Sequence, residues 1–545
     1  MLFRRSVWFC RAVILLGLIG LTLGGCKNKQ ESQASRAPKK ILRYGNAAEP
    51  QFIDPQLMTG GPEHTLAFAL FEGLVMPSQN PKEISPGVAE KWDISPDGLV
   101  YTFHLRHDAK WSDGTPVTAQ DFLRSYQRIL TPAVAADYVY LFYVVRGAED
   151  YFSGRIKDFS ETGFKAPDEH TLVLTLSRPA PFLLNVLARP PWYPLPIHVL
   201  EKFHDLDRRD TTWTRPENLV TNGAFVMRQW IQHQKIVAEK SPNYWDRENV
   251  KLDEIDFLPI EQSDTEEHMF RTGQLDITYE VPADKVATYQ RELPKNIEIA
   301  PWCGVYFYRL NTARKPLNDV RVRRALSLAI NRDRIVKNIT LAGESPALSY
   351  VPPDTNGYVP DYKIHEDIAE AKRLLAEAGF PDGKGFPHLQ LLYNTSKRHG
   401  PIAEAIQEMW RRNLGIDITL TNEEWKVYLD DQKQINFDME RAGWIADYFD
   451  PNCFVEVFRT GSGNNFTNWG SPEYDRLLAS SLDAKTTAER YVVYQKMEKI
   501  LLTEMPIIPI FFYTEARLVS NRVLTFKIAP MDDFPWKDVD VVPTP

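Results

Sequence analysis

From residue 41 onward, hydrophobic positions recur in short blocks with two spacings, every second residue or every third and fourth, separated by polar breaks. The first spacing is that of a strand with one covered face, and the second that of a helix with one buried stripe. Residues 41–44 predict a short strand, followed by a Pro- and Gly-containing loop and an apolar helix over 64–74. Residues 99–106 alternate strictly and predict a strand. A turn at 111–116 leads to Thr118, a good N-cap with Asp121 three positions on, and so to a helix over 119–130. Further along, 366–378 predicts a helix stopped by Gly379. Residues 388–393 and 416–420 predict strands that flank a helix with Pro401 in its first turn and Gly415 at its end. That strand-helix-strand unit is expected to be parallel and right-handed. A helix starts at Ser471-Pro472, and another runs over Thr487–Glu504 to a stop at Pro506, after which 507–513 reads as a buried strand. The order of elements is that of an α/β protein.

One apolar run, Arg441-Ala442-Gly443-Trp444-Ile445-Ala446-Asp447-Tyr448, carries a guanidinium near one end and a carboxylate near the other. In an extended strand Arg441, Gly443, Ile445 and Asp447 share one face. Six strand residues span roughly 20 Å, which suits a ligand that is itself a zwitterion with separated ends. The other reading open here is that both charges sit at strand ends and pair with neighbours elsewhere.

The N-terminus adds a location. Arg4, Arg5 and Arg11 precede an apolar run over 12–23 that is too short to span a membrane, and it ends Leu23-Gly24-Gly25-Cys26. Residues 1–25 are expected to be a lipoprotein signal peptide, with Cys26 the lipidated first residue, and 26–40 a polar flexible tether. Losing Arg4, Arg5 and Arg11 would take the formal charge from −8 to −11, the opposite of a nucleic-acid footprint. Of the four cysteines, Cys303 and Cys453 then remain, and the sequence leaves open whether they pair or stay as buried thiols. Chemistry is sparse. There is no HExxH and no CxxC, His104 and His107 fall on opposite faces of a strand, and Gly383-Lys384 lacks phosphate-loop spacing. Gly343-Glu344-Ser345-Pro346-Ala347 resembles a nucleophile elbow only in spacing, because Pro346 spoils the helix start. No cofactor, no metal and no enzymatic activity are expected.

The stretches Ser85-Pro86-Gly87-Val88-Ala89-Glu90-Lys91-Trp92, Thr102-Phe103-His104-Leu105-Arg106 and Ala109-Lys110-Trp111-Ser112-Asp113-Gly114-Thr115-Pro116 closely resemble the solute-binding proteins of peptide ABC transporters, extracellular solute-binding protein family 5. The likeness continues through Val220-Thr221-Asn222-Gly223-Ala224, Tyr244-Trp245-Asp246, Leu392-Tyr393-Asn394-Thr395-Ser396, the 441–448 run and Ala516-Arg517-Leu518-Val519. It implies a type II periplasmic-binding-protein-like α/β fold with two lobes, a hinge and an extra small domain. By that resemblance one lobe gathers 41–75, 197–303 and 514–545, the small domain takes 76–196, and the other lobe takes 304–513, with hinges near 303 and 513. It implies that Asp447 holds a peptide α-ammonium, that Arg441 and His399 serve the ligand carboxylate at different ligand lengths, that 443–445 (Gly443, Trp444, Ile445) add strand-like backbone bonds, and that Tyr138 and Trp425 line pockets. The partners implied are short peptides, an inner-membrane ABC permease and ATPase, and a bacterial membrane through the N-terminal lipid, with the protein itself a monomer. A receptor for cell-wall peptides or another peptide-like solute is the alternative reading, and a secreted hydrolase a second one. The chain also departs from the family. Close members join the positions of Gly304 and Ile445 by a disulfide, and Thr59, Arg309, Thr340 and Gln432 stand where their pocket charges differ. Arg309 in place of an acid is expected to alter the preferred ligand charge.

Overall fold

The computed structural model describes residues 38–543 except 52, 79, 81, 210, 211 and 397, together with the backbone but not the side chain of Lys426. The signal peptide, Cys26 and all of the tether before residue 38 lie outside the described residues.

Locally signalled elements form where the spacing places them. Thr118 and Asp121 make the reciprocal cap, with the Thr118 backbone N–H donating to Asp121 Oδ2 at 2.8 Å, and open the helix Ala119–Ile129. Thr486 caps Thr487–Glu504 through the same device with Glu489, and Ser471 caps Pro472–Ser481. The predicted helix over 64–74 instead runs Gly61–Leu70. It stops early because the chain is captured from outside. The Glu72 N–H donates to Asn222 Oδ1 at 3.0 Å, and Gly223 lies against the Leu70 and Phe71 backbone.

Three sheets carry the architecture. A four-stranded sheet has the order Ile41–Gly45, Glu254–Leu258, Lys235–Lys240, Phe225–Ile231, with its first pair parallel. An antiparallel sheet is built from Ala89–Ile94, Val100–Leu105, Thr171–Thr175 and Phe164–Asp168. The third, six-stranded, runs Ser345–Pro346, Ile507–Leu518, Ile297–Leu310, Met439–Ile445, Leu389–Asn394, Ile418–Glu423. Within it Leu389–Asn394 and Ile418–Glu423 are parallel and joined by the helix His399–Leu414, as the spacing predicts. One apolar core lies on the first sheet around Tyr44, Trp213, Phe257 and Trp536. A larger one is continuous from Phe103, Tyr126 and Trp192 through Phe307 and Phe511.

Two long strands, Ile297–Leu310 and Ile507–Leu518, run antiparallel side by side. Residues 297–301 pair with 514–518 and residues 305–309 with 507–512, with a register break between Pro301 and Val305. Against the other edge of Ile297–Leu310 lies Met439–Ile445, where Gly304 pairs with Ile445, Tyr306 with Gly443 and Tyr308 with Arg441. The strand therefore ends at Ile445 rather than reaching Asp447. Pairing persists for one more residue, the Ala446 N–H donating to Cys303 O at 2.9 Å, and Asp447 begins a loop.

Candidate functional site

The loop that carries Asp447 is rigid for reasons readable in its neighbours. Asp450 is fully buried and takes both terminal nitrogens of Arg490, at 2.7 and 2.8 Å. Tyr448 stacks on Phe182 with ring centroids 5.2 Å apart, and its hydroxyl accepts from Asn452 Nδ2 at 2.9 Å. Asp447 is thus presented from a fixed turn into a cavity of about 280 Å³ whose walls include Thr59, His64, Tyr138, Trp302 and Ile445.

Inside that cavity Asp447 has no cation within ion-pair distance among the described residues. Burial pushes its carboxyl up to about 6, the Tyr140 hydroxyl and the more distant Arg189 offset part of that, and Glu456 adds to it. The other charges lining the cavity are already paired. Arg189 is bonded to Asp533, and Asp532 to Arg517. His64 is kept neutral, burial and then Arg189 lowering it to about 3, and its Nε2 is buried without a hydrogen-bond partner. Tyr138 is raised to about 12, by burial first and the Asp447 charge second. An aromatic chamber with one uncompensated carboxylate is chemically a cation site.

A second cluster sits further back along the same strand. Arg441 lies 4.9 Å from the Tyr306 ring centroid and donates from Nη2 to the Tyr513 hydroxyl at 2.9 Å and from Nη1 to Asn394 Oδ1 at 3.4 Å. No carboxylate is in ion-pair contact with it among the described residues, and its Nε is buried without a partner. His399, the first residue of the helix His399–Leu414, places Nδ1 3.4 Å from the Tyr306 hydroxyl. Burial, then Arg441, then Arg398 lower it to about 3, so it is a neutral imidazole. Gly443 keeps the space between the two clusters open, because a Cβ there would meet the Tyr513 hydroxyl at 2.6 Å and Arg441 Nη2 at 3.3 Å.

The backbone between the clusters has one free edge. Leu389–Asn394 pairs with Met439 and Glu440 only, so residues 441–445 are bonded to Ile297–Leu310 on one side alone. Ala446 points its N–H at that partner, and residues alternate, so Arg441, Gly443 and Ile445 direct their N–H and C=O groups to the open edge. The Arg441 carbonyl there accepts the Tyr428 hydroxyl.

The structure thus gathers Asp447, Ile445 and Tyr138 in one chamber and, further back, Arg441 and Gly443 of the strand Met439–Ile445 with His399 of the helix His399–Leu414 in a second cluster. Trp444 is partly buried, its indole N–H without a partner. Trp425 is 52% exposed and stacks on Tyr428, whose hydroxyl donates to the Arg441 carbonyl. The expectation for Arg309 is corrected. Its guanidinium is buried against Glu440 at 2.7 Å, with Gln432 donating to the other Glu440 oxygen at 3.3 Å, so it brings no net charge to a pocket. Sequence reasoning did not find Trp302, His64 or Arg189, whose neighbours in the cavity are far away in the chain. Cys303 and Cys453 are buried free thiols, the first raised to about 12 by burial. Among the described residues no group of His, Cys, Asp and Glu could hold a metal, and no helix is long and apolar enough to cross a membrane.

A sequence profile for "Bacterial extracellular solute-binding proteins, family 5 Middle" matches residues 83–466. The periplasmic oligopeptide-binding protein OppA of Salmonella typhimurium is 40% identical over 496 residues, 89% of this chain and 90% of that one. The periplasmic murein peptide-binding protein MppA of Escherichia coli is 36% identical over 494 residues, again 89% and 90%. Among solved structures, that of the Escherichia coli murein tripeptide-binding protein MppA superposes with a TM-score of 0.80 at 34% identity, covering 93% of this chain and 99% of that one. Haemophilus influenzae OppA in complex with RPPGFSPFR gives 0.76 at 34%, covering 92% and 99%. With a match over most of its length, the chain belongs to the bacterial extracellular solute-binding proteins, family 5, whose members are non-enzymatic binding proteins of the two-lobed type II fold.

Proposed function

We propose that this chain is a lipid-tethered extracytoplasmic receptor that captures short peptides and delivers them to an ABC transporter. The observation that carries the reading is Asp447, a partly buried carboxylate without a counter-ion among the described residues in an aromatic chamber, joined by an open strand edge to a guanidinium without an acid partner. A peptide supplies what each part lacks. Its α-ammonium pairs with Asp447, its main chain bonds the edge at Gly443 and Ile445, and its carboxylate reaches Arg441 or, in a longer ligand, His399. Backbone recognition is independent of side chains, which suits a receptor for many sequences.

Closure follows the chain crossings. Lobes made of 41–75, 197–303 and 514–545 on one side and 304–513 on the other meet at two antiparallel strands, and the register break between Pro301 and Val305 lies where those strands pass from one lobe to the next. The segment 76–196 forms the added small domain, and Cys26 carries the anchor.

Calorimetry on residues 27–545 with tri- to pentapeptides tests the reading, alongside mass analysis of whatever co-purifies. Saturable one-to-one binding without turnover is expected. No saturable binding, or hydrolysis of the peptides, would refute it. The cleft also suits a cell-wall tripeptide, a ligand kept in view by the likeness to MppA, and the co-purified mass separates the two.

A further inference from the structure

The Arg441 end of the strand holds more positive charge than one carboxylate requires. The helix His399–Leu414 is 16 residues long, has no acidic residue in its first turn and no side chain capping its N-terminus. Ser396 Oγ accepts the Arg398 N–H at 3.2 Å and Pro401 has none to offer, so among the described residues the first-turn N–H groups of His399 and Gly400 and the positive dipole end are left without a side-chain acceptor. Arg398 stands at the N-cap position, and His399 follows it, 93% buried and close to the Tyr306 hydroxyl. Arg398 directly precedes His399, whose Nδ1 is 3.4 Å from the Tyr306 hydroxyl, and Arg441 lies 4.9 Å from the Tyr306 ring centroid, so both arginines border the same tyrosine and their charges bear on it. Among the described residues the acid in ion-pair contact with any member of this group is Glu344 alone, 3.4 Å from Arg398 Nη2. Its side chain is fully buried whereas that of Arg398 is 37% exposed. Glu344 Oε2 accepts the Ala342 N–H at 2.9 Å, and Oε1, the oxygen facing Arg398, has no hydrogen bond. The pair is long and one-sided, so Arg398 is held loosely; the Arg441 Nε is likewise without a hydrogen-bond partner among the described residues.

We propose that Arg398 is a specificity-determining residue, which together with Arg441 and the uncapped helix end makes a two-anion subsite that selects peptides ending in Asp or Glu. The inference rests on the peptide reading above. The α-carboxylate lies on Arg441 with Tyr513 and Asn394 fixing the guanidinium. The second carboxylate takes Arg398 from Glu344 and faces the helix N-terminus. Neutral His399 donates or accepts without adding a third cation. Glu344 is then a competitor that sets how strong the preference becomes.

The test compares Ala-Ala-Glu, Ala-Ala-Gln and Ala-Ala-Ala by calorimetry on residues 27–545. The native sequence is expected to bind Ala-Ala-Glu about tenfold more tightly than Ala-Ala-Gln, the size of one partly exposed charge-assisted contact. Arg398→Gln should reduce that ratio to within about twofold, with a smaller loss of Ala-Ala-Ala affinity than of Ala-Ala-Glu affinity, since the α-carboxylate is still held by Arg441. Glu344→Gln should move the ratio the other way, by removing the competing acid. Because each ratio is taken on one protein sample, a variant that folds less well still reports it. Equal affinities for Ala-Ala-Glu and Ala-Ala-Gln in the native sequence, or a ratio that neither variant changes, would overturn this inference and leave the peptide reading standing. Failure of all three peptides to bind would overturn both.

Discussion

Replacing Asp447 by Asn should make the empty protein more stable and the receptor useless. The carboxyl is raised from 3.8 to about 6, chiefly by burial. At about 1.4 kcal/mol per unit, holding it ionised in the unliganded cleft costs at most about 3 kcal/mol, an upper figure because Asp447 keeps some contact with water. The sign follows from proton linkage. The folded state binds the proton more tightly than the unfolded chain, so the Asp447 contribution to stability falls as pH rises from about 3.8 to about 6 and is constant above. Asn carries no charge and escapes the cost. Urea unfolding of ligand-free residues 27–545 at pH 7.5 should therefore show the variant more stable by about 2–3 kcal/mol, and the gain should shrink to well under about 1 kcal/mol at pH 4. Tripeptide affinity at pH 7.5 should fall at least about thirtyfold, since a buried charge pair loses one partner at about 2–5 kcal/mol. An Asn variant that is less stable than the native protein at pH 7.5, a gain that persists at pH 4, or an affinity within threefold of native would each refute the reasoning.

Three other outcomes follow from the same structure. Gly304→Ala should cost about 1–3 kcal/mol, because its Cβ would sit 2.3 Å from Ile445 Cδ1, and adding Ile445→Val should recover part of that; a double-mutant cycle in urea that came out additive would show that Ile445 is not the contact. Arg309→Met should cost about 3–5 kcal/mol by stranding Glu440, whereas Arg309→Met with Glu440→Leu should restore most of it, measured by the same unfolding midpoints. In residues 27–545, iodoacetamide at pH 8 should label neither Cys303 nor Cys453 in the folded protein and both after unfolding, as read by mass; rapid labelling of the folded form would contradict the burial and the upward shift of both thiols.

What was legible in the sequence was what local chemistry decides. Thr118, Ser471 and Thr486 cap helices with residues three positions on, and each of those helices starts where its cap stands. Ile297–Leu310 was not legible, although it is the longest strand. It contains Pro301 and has no alternating pattern of its own, and it is a strand because Met439–Ile445 and Ile507–Leu518 lie on both sides of it. The site divides in the same way. Asp447 and Arg441 could be singled out within eight residues, but whether a charge is free or paired depends on residues far away. Arg309 looked like a pocket cation until Glu440, 131 positions later, arrived on the neighbouring strand to neutralise it. Trp302 and Tyr138 reach the Asp447 chamber from separate parts of the chain, and neither has a sequence signature that separates a cavity wall from a core aromatic.

The first sheet holds both ends of the described chain. Lys40 is bonded to Asp540 at 2.6 Å, Tyr44 packs edge-on to Trp536 at 5.0 Å, and the Trp536 indole donates to Thr65 O at 2.9 Å. A polypeptide that emerges N-terminus first, from a ribosome or through a membrane pore, can pair its opening strand with Glu254–Leu258 about halfway through, but Tyr44 keeps one face uncovered until Trp536 arrives. That strand cannot be sealed until the final residues are delivered, so the order of emergence is not the order of completion. Truncation near residue 530 would take its toll at residue 44, and protection of the opening strand from proteolysis becomes a late marker of the finished molecule.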